Sequence, residues 1–255
     1  MFKVVNKRYL ANNIWLVDVE APNVAKACLP GQFVIVRLDE KAERVPLTIC
    51  DYDREKNTIT LVYQAVGAST MRMRDADENG YHDVVGPLGQ PSELCTMPRE
   101  ELAKEKILFM AGGVGTAPVY PQVKWLKENG YEADVIIGAR TKDLIILEEE
   151  MKQWAANLYI ATDDGSYGIK GNVSVVIKEF DTEFDAIYSC GAPGMMKYIN
   201  QTFHDHPRAY LSLESRMACG MGACYACVLK VPDSETVSQR VCEDGPVFKT
   251  GTVVL

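Results

Sequence analysis

Four of the eight cysteines, Cys219, Cys224, Cys227 and Cys242, fall in the order C-x4-C-x2-C followed by a more distant fourth, a thiolate spacing that suits a 2Fe-2S cluster. A chain that wraps a cluster needs a tight loop at that point rather than a regular element. Gly220, Met221, Gly222 and Ala223, between the first two thiols, are small or flexible, so their backbone N–H groups can approach cluster sulfides. The spacing predicts an electron carrier with Cys219, Cys224, Cys227 and Cys242 as metal ligands. Structural zinc also takes four thiolates, but usually from paired C-x2-C knuckles, and only Cys224 and Cys227 form such a pair. Disulfides fit less well. The N-terminal segment spreads charges through an alternating pattern, with no apolar signal core or small-residue cleavage site, so the expected location is cytoplasmic and the expected thiols are reduced.

At 255 residues the chain has room for two domains and a small third module held together by its metal. Its 47% apolar and 24% charged content is ordinary for a folded, soluble protein. No stretch approaches the roughly 18 uninterrupted apolar residues of a membrane span, so membrane contact would run through a partner. A formal charge of -8 leaves no basic footprint, which argues against a nucleic-acid partner. The three histidines, His82, His204 and His206, show no metal spacing with carboxylates and read as surface residues.

The first hundred residues read as short strands, 3–9, 14–20, 32–38, 45–52 and 58–66, with a polar hairpin turn at 53–57. Repeated short strands without helical periods predict a small antiparallel barrel. Beyond a polar stretch at 97–105 the pattern changes to apolar strand, Gly-rich turn and helix, repeated. Strands are expected at 106–111, 133–139, 157–161 and 184–189, and helices at 116–129, 147–156 and 173–180. Such alternation implies a doubly wound parallel sheet covered by helices. A last helix at 194–204 and a strand at 209–213 lead into the cysteine module. Three modules are therefore expected: a β-barrel over 1–97, an α/β nucleotide-binding domain over 98–208 and a metal module over 209–255.

Gly112-Gly113-Val114-Gly115-Thr116-Ala117-Pro118 joins a strand to a helix. Glycines there allow a tight turn, and a phosphate can approach the backbone where helix N–H groups and the macrodipole favour anions. Gly113, Gly115, Thr116 and Pro118 are the candidate contacts, in a G-x-G-x-x-P pattern rather than G-x-G-x-x-G. Glycine turns also end strands for geometric reasons alone, and it is the place between strand and helix that favours the nucleotide reading. Coenzyme choice rests on two later strand ends. Arg140 and Lys142 could meet a 2'-phosphate, whereas Asp163 and Asp164 could hold a ribose diol, which favours NAD(H) over NADP(H).

Ser189-Cys190-Gly191-Ala192-Pro193-Gly194-Met195-Met196 follows the last apolar strand of that sheet. With the first Gly-rich turn it resembles the Cys-Gly-x-Pro-x-Met signature of the ferredoxin reductase superfamily. The resemblance implies that Cys190 and Gly191 lie near nicotinamide and flavin, Cys190 with a catalytic role. In the barrel, Arg44-Val45-Pro46-Leu47-Thr48, Val66-Gly67-Ala68-Ser69-Thr70 and Gly86-Pro87-Leu88-Gly89 look like that superfamily's FAD-binding segments. Arg44, Pro46, Leu47 and Thr48 are then expected at the flavin, the Thr48 hydroxyl on its reacting ring, with Gly67, Ser69 and Thr70 at its pyrophosphate.

Over the whole chain, order and motifs resemble two related families: electron-transfer subunits of NAD-dependent dihydroorotate dehydrogenase, and small subunits of the bifurcating NADH-dependent reduced ferredoxin:NADP oxidoreductase. Glu43 to Ile49, Gly138 to Leu144 and Thr162 to Gly168 look more like the second. The stretches around Cys219 and Cys242 look like the first, and the bifurcating family typically places an aspartate where Cys219 stands. Val45 departs from the dihydroorotate pattern, which often has a phosphate-binding arginine there. The resemblance implies hydride transfer between NAD(H) and FAD, then single-electron passage through the cluster to a partner subunit, either an FMN-containing α/β barrel or a larger iron-sulfur flavoprotein, with ferredoxin a further candidate. Nothing in the chain resembles a pocket for dihydroorotate, so the partner is expected to bear the second active site. The contrasting, non-enzymatic reading is a cluster carrier whose nucleotide domain only senses NAD(P)H.

Overall fold

The computed structural model describes residues 1–76, 80–180 and 183–255. Strands β1 (Val4–Ala11), β2 (Ile14–Glu20), β3 (Phe33–Arg37), β4 (Val45–Asp53), β5 (Thr58–Gln64) and β6 (Asp83–Leu88) form one antiparallel sheet in the order β1-β2-β5-β4-β3-β6. Just ahead of β1 and β6, Phe2 and Tyr81 exchange two backbone hydrogen bonds of 2.7 and 2.8 Å, which ties the sheet's edges into the expected barrel. Alternation within β2 shows why this sequence makes a strand. Val17 and Val19 line the barrel interior, while Ile14 and Leu16 join a second core outside it, the period-two pattern of a strand buried on both faces.

Three short helices were not expected. Helix α1 (Pro22–Ala27) seats Val24 and Ala25 in the barrel's core, and α2 (Ala68–Asp75) seats Met73 there. Helix α3 (Arg99–Leu102) lies in the polar stretch that leads to the second sheet.

That sheet contains β7 (Ile107–Gly112), β8 (Ala133–Ala139), β9 (Asn157–Thr162), β10 (Ile169–Lys170), β11 (Ala186–Cys190) and β12 (Ala209–Ser212), all parallel. Helices α4 (Thr116–Glu128), α5 (Glu148–Trp154), α6 (Val173–Lys178) and α7 (Pro193–Thr202) make the crossovers. Apolar runs such as ILFMAG in β7 are buried almost throughout, as a strand covered on both faces requires.

The C-terminal span contributes β13 (Val228–Lys230), β14 (Ser238–Arg240) and β15 (Val247–Lys249). The second sheet runs β10-β9-β8-β7-β11-β12-β15, and β15 is antiparallel to β12. The expected division at 208/209 therefore cuts through a sheet: β12 and β15, both inside 209–255, are its last two strands, with β15 at the edge. Short apolar strands at that edge bury Leu211 and Phe248, which explains why they join the sheet and not a separate module. His206 also departs from expectation. It is half-buried, with Nε2 bonded to the Phe184 carbonyl at 3.0 Å and Nδ1 accepting from the Arg208 N–H.

Barrel and nucleotide sheet share one core. Ala11, Ile14, Leu16, Cys50 and Val62 pack with Ala117, Tyr120 and Val123 of α4, each large apolar side chain contributing ~1.5–3 kcal/mol on full burial. Lys124 Nζ bridges the seam to both carboxylate oxygens of Asp51 at 2.8 and 2.9 Å. Ahead of α3, Glu93 accepts hydrogen bonds from the Tyr188 and Tyr210 hydroxyls and from Arg208. Among the described residues no helix is long and apolar enough to cross a membrane.

Candidate functional site

In the second sheet the strand order reverses between β7 and β11, and ligands of open α/β sheets bind at such a switch point, beyond the strands' C-terminal ends. The Gly112–Gly115 turn and the Cys190–Gly191 turn face one another there. A Cβ on Gly115 would overlap the Cys190 carbonyl, and one on Gly191 would come within 3.2 Å of Gly112 Cα. The two sequence-predicted turns are thus brought together, in contact so close that only glycine fits. Gly113 has φ +56° and open space where a side chain would be, which leaves its backbone accessible to a ligand. The Thr116 hydroxyl is turned inward and donates to the Gly113 carbonyl at 2.9 Å, so it braces the turn. Pro118 lies half-buried one turn along α4.

Cys190 is half-buried at the end of β11. Burial pushes its thiol up to about 12, and the nearby Glu214 carboxylate adds to the rise, so the group is a neutral S–H at physiological pH. Ser212 also hydrogen-bonds it. Sequence reasoning missed Ser212 and Glu214. Their signal was positional, since both stand at the end of the strand next to the one carrying Cys190.

Arg140 and Asp163 are exposed on adjacent loops at the same end of the sheet. The Asp163 N–H donates to the Ala139 carbonyl at 3.0 Å, and the Lys142 N–H donates to Ser166 Oγ at 2.9 Å. Asp164 spends a carboxylate oxygen on the Ser166 N–H and hydroxyl, whereas Asp163 projects to solvent.

In the barrel, β4 pairs with β3 so that Thr48 faces Phe33, Leu47 faces Val34 and Pro46 faces Ile35. Leu47 packs toward the barrel interior, leaving Pro46 and Thr48 on the outer face. Gly67 caps α2, and the Thr70 hydroxyl accepts from the Val66 and Gly67 N–H groups at 3.2 and 3.1 Å. Thr70 is therefore spent on capping, while the first-turn amides of α2 remain unpaired within the helix. Ser69 donates to the Glu43 carboxylate, and Arg44 Nε is buried without a partner among the described residues. An unmatched guanidinium nitrogen and a helix N-terminus both suit a phosphate, so this edge fits a flavin dinucleotide.

The cysteine loop stands on the barrel. Cys227 and Cys242 share an apolar cluster with Phe33 and Ile35 of β3, and a Cβ on Gly220 would strike Ile35 and Leu88. Among the described residues no three metal-binding side chains converge as on a single ion. The four sulfurs stand instead as two pairs: Cys224 within hydrogen-bonding reach of Cys219, and Cys227 Sγ 3.3 Å from Cys242 Sγ. Met221 and Cys224 N–H groups donate to Cys219 Sγ at 3.4 Å each, and Gly222 N–H donates to Cys242 Sγ at 3.1 Å. Those backbone donors, Met221 first, hold the Cys219 thiol down at about 6, while burial and the adjacent Cys227 thiol push Cys242 up to about 11. Two thiol pairs ringed by N–H donors suit a two-iron cluster, with two thiolates for each iron.

Comparison with known proteins agrees with this geometry. Residues 214–254 match the iron-sulfur cluster binding domain of dihydroorotate dehydrogenase B, and residues 109–201 match the oxidoreductase NAD-binding domain. The electron transfer subunit of dihydroorotate dehydrogenase B (NAD(+)) from Streptococcus pneumoniae (strain ATCC BAA-255 / R6) is 51% identical, over 99% of this chain and 97% of its own length. The subunit of that name from Geobacillus thermodenitrificans (strain NG80-2) is 38% identical over the same shares of the two chains. Among solved structures, a chain from the NADH-dependent reduced ferredoxin-NADP oxidoreductase superposes with a TM-score of 0.89 at 34% identity, covering 100% of this chain and 90% of the other. From its glycine-lined switch point to its paired cysteines, and matched nearly end to end, the chain belongs to the family of electron transfer subunits of dihydroorotate dehydrogenase B.

Proposed function

We propose that this chain exchanges hydride with NAD(H) at the switch point of its parallel sheet and carries electrons singly, through its cysteine loop, between that site and a partner subunit; where the partner oxidises dihydroorotate, the two electrons released leave as hydride on NAD+. The carrying observation is contiguity. Thr48 on the barrel's outer face lies opposite Phe33, and Phe33 packs in one apolar cluster with Cys227 and Cys242. Beyond the end of β12, Glu214 reaches Cys190 on one side and the chain enters the cysteine loop on the other.

When bound, flavin supplies the exchange between two-electron hydride chemistry and one-electron cluster chemistry. The chain's residues do the placing. Gly113 and Gly115 leave backbone exposed for the coenzyme phosphates, Asp163 receives the ribose diol and so selects NAD(H), and Cys190 packs its neutral thiol beside the reacting rings. Pro46, the Leu47 backbone and the Thr48 hydroxyl line the flavin ring. Arg44, Ser69 and the amides of α2 receive its pyrophosphate. Cys219 with Cys224, and Cys227 with Cys242, ligate the two irons. Barrel, parallel sheet and cysteine loop are assigned in that order to flavin, nicotinamide and cluster.

Around the cysteine loop, Met221, Tyr225, Val228 and Val237 are exposed, an apolar rim on which the partner would close. A bifurcating role is the second reading, supported by the superposition at 34% identity; the 51% identity to a dihydroorotate dehydrogenase subunit favours the first. The test is an anaerobic visible spectrum of the reconstituted protein before and after NADH, with iron, sulfide and flavin assays. Flavin and 2Fe-2S bands should both bleach. Bands that persist in excess NADH would refute a reductase.

A further inference from the structure

We propose that Arg240 is a positioning residue for the cysteine loop, holding Gly222 so that the Gly222 N–H stays on the Cys242 sulfur. Its guanidinium is gripped on three sides. Nη1 donates to the Gly222 carbonyl at 2.9 Å, the group lies 5.1 Å from the Tyr225 ring centroid, and Nε stands 3.5 Å from the Asp244 carboxylate, which also accepts the Arg240 N–H at 2.6 Å. Arg240 ends β14 opposite Val228 and two residues before Cys242. One side chain therefore joins the Cys219–Cys227 loop to the arm that carries the fourth thiol.

Two backbone conformations in the loop need that support. Gly222 has φ +77°, and a Cβ there would overlap the Glu243 carboxylate and approach Arg240 Nη1 to 2.9 Å. Tyr225 has φ +56° with a 60% exposed side chain. Left-handed backbone is costly for a non-glycine residue, and cation–π stacking of Arg240 on the Tyr225 ring returns part of that cost. Arg240 is thus the group that both offsets the strain at Tyr225 and orients Gly222. Lysine cannot replace it, because a point charge lacks the planar fork that meets carbonyl, carboxylate and ring at once.

Hydrogen bonds to cluster sulfurs are among the determinants of reduction potential; an N–H aimed at sulfur favours the reduced, more negative state. The inference rests on the cysteine assignment proposed above, and its test separates the two. Arg240→Gln and Arg240→Lys are compared with wild type in the reconstituted holoprotein, by redox titration of the cluster signal and by the rate of iron loss to a chelator. Both variants should shift the equilibrium about tenfold toward the oxidised cluster, about 59 mV for one electron, and should release iron several-fold faster. A wild-type potential in Arg240→Gln overturns the proposal, as does full restoration by Arg240→Lys, which would make charge alone sufficient. A glutamine variant that folds by circular dichroism and binds NADH but retains no iron supports it. Wild-type protein that takes up no iron and sulfide removes the cluster assignment itself, and the inference with it.

Discussion

Gly115→Ala isolates the contact between the two turns at the switch point. Gly115 has φ -61° and ψ -8°, a conformation open to any residue, so alanine brings no backbone strain. The obstacle is space. The new Cβ would overlap the Cys190 carbonyl and lie 2.7 Å from the Gly191 nitrogen, and backbone atoms cannot rotate away as a flexible side chain can. The turns must separate, an overpacking penalty of about 1–3 kcal/mol. At roughly 2–4 °C per kcal/mol for a chain of this size, Tm should fall by about 2–12 °C. Separation also carries Cys190 off its position, and a misplacement of ~1 Å at a reacting centre can cost ~10²-fold. Anaerobic stopped-flow should show the limiting rate of flavin reduction by NADH reduced by ~10- to 10²-fold. Gly113→Ala is the control. There φ is +56° with nothing nearby, so alanine carries a left-handed penalty of about 1–2 kcal/mol without pushing Cys190. It should raise the NADH concentration needed for half-maximal reduction and leave the limiting rate near wild type. A Gly115→Ala protein with wild-type Tm and limiting rate would show that the turns are not in the contact described.

Glu93→Gln should flatten the acid limb of the stability curve. Burial alone would raise the Glu93 carboxyl, but hydrogen bonds from Tyr188, Arg208 and Tyr210 outweigh it and hold the group below the usual range. Its contribution is therefore complete above the unfolded value of ~4.3 and is lost as pH falls through the lower folded value. Urea titrations from pH 7 to pH 3 should show the variant about 1–3 kcal/mol weaker at pH 7 with a shallower decline below pH 5; parallel curves would contradict this. Lys124→Met leaves the half-buried Asp51 carboxylate without its partner across the domain seam, a loss of about 1–3 kcal/mol. The urea midpoint should drop, and adding Asp51→Asn should recover much of it; no recovery would mean that the pair does not hold the seam.

The barrel strands, the parallel sheet and both glycine turns were legible because each is a local pattern: period-two alternation, a buried apolar run, a Gly-rich strand end. Helix α2 was not. Only Met73 among its eight residues is buried, so no apolar stripe announces it, and Gly67, Ser69 and Thr70 read as a turn. For the same reason the sequence assigned Thr70 to a ligand, whereas its hydroxyl caps the helix. β12 and β15 are four and three residues long, and their pairing spans the whole cysteine loop, a long-range contact that no local window contains. The cysteine spacing suggested four ligands but not their pairing, which depends on the fold returning Cys242 to Cys227. Glu214 and Arg240 are invisible locally, since each acquires its role from a partner distant in sequence.

The pairing of Ser212 with Val247 bears on how such a protein is assembled and remodelled. Everything between those residues, cluster ligands included, is an insertion at the tip of a hairpin whose two arms are already zipped into the nucleotide sheet. Opposed residues of an antiparallel pair lie ~4.5–5.5 Å apart, so a short turn could close the gap. Both ends of the insertion are clamped to one rigid edge, and the cluster cannot swing out on a tether to collect or deliver its charge. Traffic between nicotinamide and cluster runs at a spacing set by the sheet, so the partner must come to the cluster where the sheet holds it.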